Sequence, residues 1–156
     1  MINKEKLYIE LEEKFKETKE KLKFSSTFNE VNDCSFIKDM ILEVGFVSDN
    51  FERQVCNRVV MTYYSWVGQF QAWLTAGMGS IINNNEVKAF TKEDIDTIKH
   101  LTHKAMYYFR RDKTFGIKKD YEGMGKLLDE MVKSKNDFFD KLAVLVEKTA
   151  DYWEKE

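Results

Sequence analysis

Positive charge is concentrated in one part of the chain, between Lys99 and Lys119. This basic segment contains one acid, Asp112. Its seven cations are Lys99, Lys104, Arg110, Arg111, Lys113, Lys118 and Lys119. Seven positive charges less one negative charge give the segment +6, so the rest of a chain with a formal charge of −2 carries about −8. Because lysine and arginine neutralise phosphates and release counterions, the segment predicts a surface that contacts nucleic acid.

Aromatic residues are interleaved with these cations, at Tyr107, Tyr108, Phe109 and Phe115. Exposed aromatic rings can stack on bases, and Tyr107 is therefore grouped with the seven cations as a candidate nucleic-acid contact. A simpler interpretation is that cations gather at a helix C-terminus, where the helix dipole favours them. Three of the cations fit this interpretation if their helix ends near Arg111.

A second cluster could bind a metal ion or act as an acid and base. Asp96, His100 and His103 follow one another at i, i+4 and i+7, which places two imidazoles and a carboxylate on one helix face. The same histidines could serve phosphodiester cleavage beside Lys104. No Glu-x-x-His pattern or second helix completes the site, so we expect no metal and keep a histidine- or metal-dependent nuclease as the lesser alternative.

Other catalytic patterns are missing from the sequence. It has no Gly-rich phosphate loop, no Gly-x-Ser-x-Gly elbow and no Arg-then-His spacing of the kind found in HEPN nucleases. Its two cysteines, Cys34 and Cys56, lack a metal-binding spacing and a persuasive histidine partner, and are typical of free thiols in a reducing compartment. The first residues are charged and no apolar signal region follows. We therefore expect a cytoplasmic, non-enzymatic protein without a cofactor.

Composition predicts the class of fold that carries these residues. Hydrophobic residues make up 43% of the 156 positions, and there is no proline to interrupt a helix. No alternating pattern typical of strands occurs. The sequence therefore predicts one all-α domain over residues 1–156, a bundle of about six helices around an uncharged central helix.

That central helix is predicted over residues 59–82. Between Arg58 and Glu86 there is no charged residue in 27 positions, yet Thr, Ser and Gln side chains interrupt the run too often for a membrane span. We expect an internal helix wrapped by the others, and the alternative is a face that docks another subunit. Gly77, Gly79 and residues 83–85 are expected to end it.

The remaining helices are predicted from apolar periodicity and capping residues. The first is amphipathic and could instead be an arm that binds a partner. The predicted elements are a helix from Asn3 to Phe24, a loop over 25–34, a helix from Phe36 to Val44 capped by Gly45, a helix from Thr91 to Arg111, a turn over Lys113–Gly116, a helix from Lys118 to Lys133 and a last helix from Ser134.

The C-terminal half resembles the small helical subunit of type III CRISPR effector complexes. Residues 94–111 (Asp-Ile-Asp-Thr-Ile-Lys-His-Leu-Thr-His-Lys-Ala-Met-Tyr-Tyr-Phe-Arg-Arg) are similar to that family's helix ending in aromatics and arginine. Residues 137–156, with Phe138-Phe139, Val146, Ala150 and Tyr152, are similar to its closing helix. The resemblance implies a non-catalytic antiviral-defence subunit that stacks along a guide–target duplex, with Lys104, Arg110 and Arg111 as phosphate contacts.

We therefore expect a binding subunit that contacts RNA or DNA together with protein subunits of a larger complex or further copies of itself. The alternative is a protein-binding inhibitor or adaptor, of the kind that phages and mobile elements carry, with no nucleic-acid contact.

Overall fold

A computed structural model describes residues 3–155. These residues form eight α-helices and one short 3-10 helix, and no strand. The elements are α1 (Lys4–Leu22), α2 (Phe28–Ser35), α3 (Ile37–Val44), α4 (Phe51–Tyr64), α5 (Val67–Leu74), α6 (Ile81–Glu86), the 3-10 helix (Val87–Ala89), α7 (Lys92–Lys118) and α8 (Tyr121–Glu154). The prediction of an all-α bundle is confirmed, with more helices than the six expected.

Three capping predictions are also confirmed. The Asn3 side chain accepts a hydrogen bond from the Lys6 backbone N–H at 3.2 Å and begins α1. Gly45 ends α3 with a φ of 82°, a left-handed conformation that glycine adopts without steric cost. Thr91 and Asp94 exchange side-chain and backbone hydrogen bonds at the start of α7, as a capping box does.

The loop expected over residues 25–34 is wrong for most of its length, because α2 begins at Phe28. Thr27 and Glu30 form a capping box: the Thr27 backbone N–H donates to the Glu30 carboxylate at 2.7 Å, and the Glu30 N–H donates to the Thr27 hydroxyl at 3.2 Å. The polar residues taken as a loop signal therefore begin a helix.

The uncharged run is not one helix but three. The helix breaks after Tyr64 and again after Leu74, where the Thr75 hydroxyl donates to the Gln71 carbonyl and Gly77 has a φ of 99°. Residues 83–85, expected to end the run, lie inside α6. The first part is buried, but Met78 is 89% exposed, so the expected wrapping of residues 59–82 by other helices is wrong at its C-terminal end.

The basic segment and the C-terminal region form longer helices than predicted. Instead of stopping at Arg111, α7 continues through the predicted turn at 113–116 and ends at Lys118. The break comes at Lys119, whose φ is 52°, and at Asp120, whose side chain accepts from the Gly123 N–H at 2.9 Å. No break occurs at Ser134, so the two last predicted helices are the single helix α8.

Backbone contacts divide the chain into two compact units. The first contains the chain up to Thr62 together with Tyr108–Lys133, and the second contains Tyr63–Tyr107 together with the chain from Ser134. Each boundary falls inside a helix, namely α4, α7 or α8, and none falls in a linker. Among the described residues, no helix has both the length and the apolar character needed to cross a membrane.

The first unit holds the apolar stripe of α1. Leu7, Leu11, Phe15 and Leu22 are buried, and the Phe15 ring packs edge-on against Phe24 and Phe28 at 5.6 and 5.1 Å between centroids. The stripe that predicted either a packed helix or a partner-binding arm is therefore covered within this unit.

A close approach joins the end of α1 to α8 in the same unit. A Cβ added at Gly125 would overlap the carbonyl oxygen of Leu22, so only glycine lets the two backbones come this close. One turn later, the Asp129 carboxylate accepts four hydrogen bonds, from the backbone N–H and the hydroxyl of both Ser25 and Ser26, at 2.6 to 3.1 Å. These contacts fix the connection between α1 and α2.

The second unit has an aromatic core. Buried Tyr63, Phe70 and Phe138 pack together, with the Tyr63 and Phe138 rings edge-on at 4.8 Å. The Glu86 carboxylate accepts one hydrogen bond from each of two indole N–H groups, those of Trp73 at 2.8 Å and Trp153 at 3.1 Å. The first charged residue after the uncharged run thus ties α5, α6 and α8 together.

The close approach at Gly125 predicts a large effect of a small substitution. We expect Gly125→Ala to lower the free energy of unfolding by about 3 kcal/mol, because the added methyl group can be accommodated only if α1 and α8 separate. Urea denaturation followed by circular dichroism measures it. Gly68→Ala is the matched control: nothing lies within 4 Å of a Cβ at that helical position, so it should be neutral or slightly stabilising. Equal effects of the two substitutions would contradict the close approach.

The Asp129 cluster predicts a dependence of stability on pH. Burial alone would raise the pKa of Asp129, but the hydrogen bonds from Ser26 and Ser25 outweigh it and lower the pKa below the ordinary value of 3.8. A carboxyl whose pKa is lower in the folded chain stabilises it fully above the unfolded pKa, and this contribution is lost as pH falls through the folded pKa. We therefore expect the free energy of unfolding to decrease between about pH 5 and pH 2.

Asp129→Asn should remove part of that slope and, at neutral pH, cost about 1–3 kcal/mol because the amide cannot accept all four hydrogen bonds. Urea denaturation at several pH values measures both effects. Asp140→Asn on the exposed side of α8 makes the same change in charge and should leave slope and stability nearly unchanged. An unaltered slope in Asp129→Asn would show that this carboxyl titrates normally.

Candidate nucleic-acid interface

Five predicted contact residues lie in the first unit, at the C-terminal end of α7 and just beyond it. We call this group the α7 end; all its members are exposed, and they are Arg110, Arg111, Lys113, Lys118 and Lys119. Within residues 3–155, four of them form no salt bridge, namely Arg110, Lys113, Lys118 and Lys119. Their positive charge is therefore presented to solvent.

The single acid of the basic segment does not offset this charge. Asp112 points to the interior of the first unit, where its side chain is 1% exposed, and Arg53 of α4 donates one hydrogen bond to each of its carboxylate oxygens at 2.9 Å. This two-pronged contact raises the pKa of Arg53. Because the acid is buried and neutralised from another helix, the exposed charge between residues 110 and 119 is entirely positive.

A glycine on α7 leaves room for Arg53 beside Asp112. Gly116 lies one turn after Asp112, and a Cβ there would stand 3.1 Å from the Arg53 Cζ and Nη2 atoms. Neither Arg53 nor Gly116 was recognised from the sequence. The i, i+4 spacing of Asp112 and Gly116 is visible there, but nothing local indicates that an arginine 59 positions before Asp112 is its partner.

The observed helix length removes the simpler explanation of the charge. The favourable effect of the helix dipole is confined to the last turn, and α7 ends at Lys118. Arg110, Arg111 and Lys113 lie more than one turn before that end. Their accumulation is therefore not explained by helix termination, which accounts only for Lys118 and Lys119 at the end itself.

The aromatic residues of the basic segment are less available than predicted. Tyr108 is fully buried, and Phe109 and Phe115 are half-buried beneath cations. The Arg110 Cζ and Lys113 Nζ atoms lie 5.3 and 5.2 Å from the centroid of the Phe109 ring, close enough for cation–π attraction. In the first unit the aromatic rings thus position the cations and do not form a stacking platform.

The second unit contains the remaining predicted contacts. Lys99 is exposed, Lys104 is half-buried, and Tyr107 is 44% exposed, which makes it the most accessible aromatic side chain of the basic segment. All three lie on the part of α7 that belongs to the second unit, which ends at Tyr107. They form a separate set of candidate residues from the α7 end.

The possible metal ligands Asp96, His100 and His103 also lie in the second unit, and all three are exposed. Across the part of the chain that the structure describes, no group of three or more His, Cys, Asp or Glu side chains is arranged to hold a metal ion. This trio is included in that finding. The histidines are therefore exposed residues of α7 without the convergent geometry that a metal site needs.

The two cysteines are both buried. Burial raises the pKa of Cys56 to about 12, so its thiol is protonated at neutral pH and is a poor nucleophile. A buried, protonated thiol is typical of a core residue.

The ion pair between Arg53 and Asp112 predicts how single and double substitutions of these residues change the free energy of unfolding. We expect Arg53→Met to lower the free energy of unfolding by about 3 kcal/mol, because it leaves a buried carboxylate without its partner. The double variant Arg53→Met/Asp112→Leu should be clearly more stable than Arg53→Met, since it removes the unpaired charge as well. Urea denaturation of the two single variants and the double variant measures the coupling. Additive losses would show that the two side chains do not act as a pair.

Comparisons with known proteins give this arrangement no relatives: no protein-family model, curated protein or solved structure matches the chain.

Proposed function

We propose that the protein is a non-enzymatic binding subunit that contacts nucleic-acid phosphates through the α7 end. The observation that carries this proposal is the burial of Asp112 against Arg53, which leaves five exposed cations and no exposed acid between residues 110 and 119. Phosphate neutralisation by such cations supplies most of the affinity of sequence-independent nucleic-acid binding.

The length of the α7 end suits a polyphosphate backbone. A helix rises about 1.5 Å per residue, so the cations from Arg110 to Lys118 cover about 12 Å. One strand of a duplex presents a phosphate about every 3.4 Å along the axis, so about three phosphates come within reach of a cation. An isolated small anion would need only one of these charges.

The chemistry of the α7 end favours contacts with the backbone over contacts with bases. Cations that contact phosphates fix the position of a protein on a nucleic acid but carry no sequence information. Phe109 and Phe115, which could have stacked on bases, lie beneath the cations. The proposed interaction is therefore independent of sequence.

The resemblance to the small helical subunit of type III CRISPR complexes suggests that the protein acts as one subunit of a larger complex. In that form a guide–target duplex would supply the phosphates, and neighbouring protein subunits would position the chain. The proposal for the α7 end does not depend on that assignment, since any nucleic acid presents the same phosphates.

The proposal predicts salt-sensitive binding that depends on the α7 end. We expect fluorescently labelled single- and double-stranded RNA and DNA to show increased anisotropy with the protein at low salt. In the variant Arg110→Gln/Lys113→Gln/Lys118→Gln, the affinity should fall about tenfold or more. The slope of log K against log salt should fall in magnitude by about 2–3, because three phosphate contacts are lost.

A matched control distinguishes the effect of where the cations lie from the effect of the net charge of the protein. The variant Lys4→Gln/Lys6→Gln/Lys16→Gln removes three exposed cations from α1 and changes the net charge equally, so it should bind almost as the wild type does. Binding lost equally in both variants would indicate a non-specific charge effect. Absence of binding by the wild type at low salt would overturn the proposed function.

The second candidate is a protein-binding inhibitor or adaptor with no nucleic-acid contact. It is favoured by Met78, Ile81 and Ile82, three large apolar side chains that are all exposed around the start of α6. Soluble proteins expose such clusters chiefly where they bind other molecules. This function would replace the first if the wild-type protein bound no nucleic acid but bound a protein partner through these three side chains.

A further inference from the structure

Helix α3 exposes an apolar and acidic stripe. Asp39 and Glu43 are exposed and lie four residues apart on one face of the helix, and Phe36, which is exposed as well, is the residue at its N-terminal cap. Phe36 is 60% exposed. Asp39 and Glu43 form no salt bridge with any residue in the range 3–155. We call these three residues the acidic stripe.

Local structure does not account for a phenylalanine at position 36. Its φ of 51° and ψ of 36° place it in the left-handed region, where a side chain with a Cβ is disfavoured and glycine is the usual residue. It contributes little to the core, because more than half of the residue is exposed. Neither backbone conformation nor packing within the chain therefore explains this side chain, whereas contact with another molecule would.

Helix α7 exposes a stripe of the opposite charge. Arg110, Lys113 and Ile117 are exposed and follow one another at spacings of three and four residues along one face. Ile117 is 83% exposed, the largest value for an apolar side chain in the first unit. The Phe109 ring holds the two cations side by side. We call Arg110, Lys113 and Ile117 the basic stripe.

The two stripes match when their helices are antiparallel. From Phe36 to Glu43 and from Ile117 to Arg110 there are seven residues, which is about 10.5 Å along either helix. Antiparallel alignment places Ile117 against Phe36, Lys113 near Asp39 and Arg110 near Glu43. Each stripe has its apolar residue at one end and its two charges further along, so the alignment pairs the apolar side chains and both sets of opposite charges at once.

We propose that the acidic stripe of one copy docks on the basic stripe of a second copy of this chain. The two stripes are both exposed in the same molecule, so they do not pair within it. Such docking closes a two-fold dimer if both stripes of each copy pair at once, and otherwise it is head-to-tail and generates chains or closed rings. The shortness of α3 keeps the interface below the roughly 1,200 Å² of stable complexes, so each contact is weak, in the micromolar range or weaker.

This self-association goes beyond the proposed function and is independent of it. Arg110 and Lys113 belong to both surfaces, so phosphates would compete with the acidic stripe for the same two cations. A test that contains no nucleic acid therefore reports on self-association alone.

The experiment is sedimentation velocity of the full chain at low salt over a wide range of protein concentration. We expect the weight-average sedimentation coefficient of the wild type to rise with concentration and to fall back when salt is added, because charge pairs near a surface are screened. Glu43→Arg and Arg110→Glu alone should each weaken association at least about tenfold, since each places like charges opposite one another.

Restoration of association identifies the pairing. The double variant Glu43→Arg/Arg110→Glu again has opposite charges at these positions and should associate as the wild type does. An equimolar mixture of the two single variants should also regain association, more weakly than the wild type because each stripe is complementary only to the other variant. Phe36→Ser should also weaken association, whereas Ile9→Ser, which removes an exposed apolar side chain from α1, should not. Circular dichroism confirms that each variant is folded.

Two results would overturn the proposal. One is a wild-type chain that sediments as a monomer at every concentration. The other is association that persists in both single charge reversals, or that the double reversal and the mixture fail to restore; either pattern would place any contact between copies elsewhere on the surface.

Discussion

The ion pair between Arg53 and Asp112 is the interaction on which the functional surface depends. It joins α4 to α7 within the first unit, and it places the one acid of the basic segment in the interior. If Asp112 faced solvent, it would offset a neighbouring cation and weaken the attraction for phosphates. Burying a charge is costly, and a bidentate arginine is among the few partners that compensate for it. The same contact therefore holds two helices together and determines the sign of the exposed surface.

Much of the fold could be predicted from the sequence because helix propensity, apolar periodicity and capping are local. The caps at Asn3, Gly45 and Thr91 each act through residues three or four positions away, and all three are confirmed. The errors occurred where distant packing overrode a local signal. Ser134 has the chemistry of a cap, yet it lies within α8, half-buried, with its hydroxyl 3.4 Å from that of Tyr63. Gly116 suggested a turn, but it provides room for Arg53.

The candidate site was predicted less completely than the fold. Exposed cations such as Arg110 and Lys113 could be identified because a local excess of charge on a helix has to face water. Their environment could not be predicted, because the burial of Asp112 depends on an arginine that is far away in the sequence. The helix was predicted to end near Arg111, and on that prediction the helix dipole was a sufficient explanation for Arg110, Arg111 and Lys113. With α7 continuing to Lys118, it is not.

A molecule with surfaces of opposite charge can bind further copies of itself, and this competition helps to explain how the charges are arranged. The chain carries +6 in its basic segment and about −8 elsewhere, so the two kinds of surface attract each other between copies as well as attracting other partners. Exposed cations that bind phosphate remain available only if competing carboxylates are few, weakly held or buried. Asp112 is buried, and the carboxylates on α3 belong to an eight-residue helix that offers a small contact area. A weak contact between copies would therefore yield to a polyphosphate, which presents several charges at once along a single backbone.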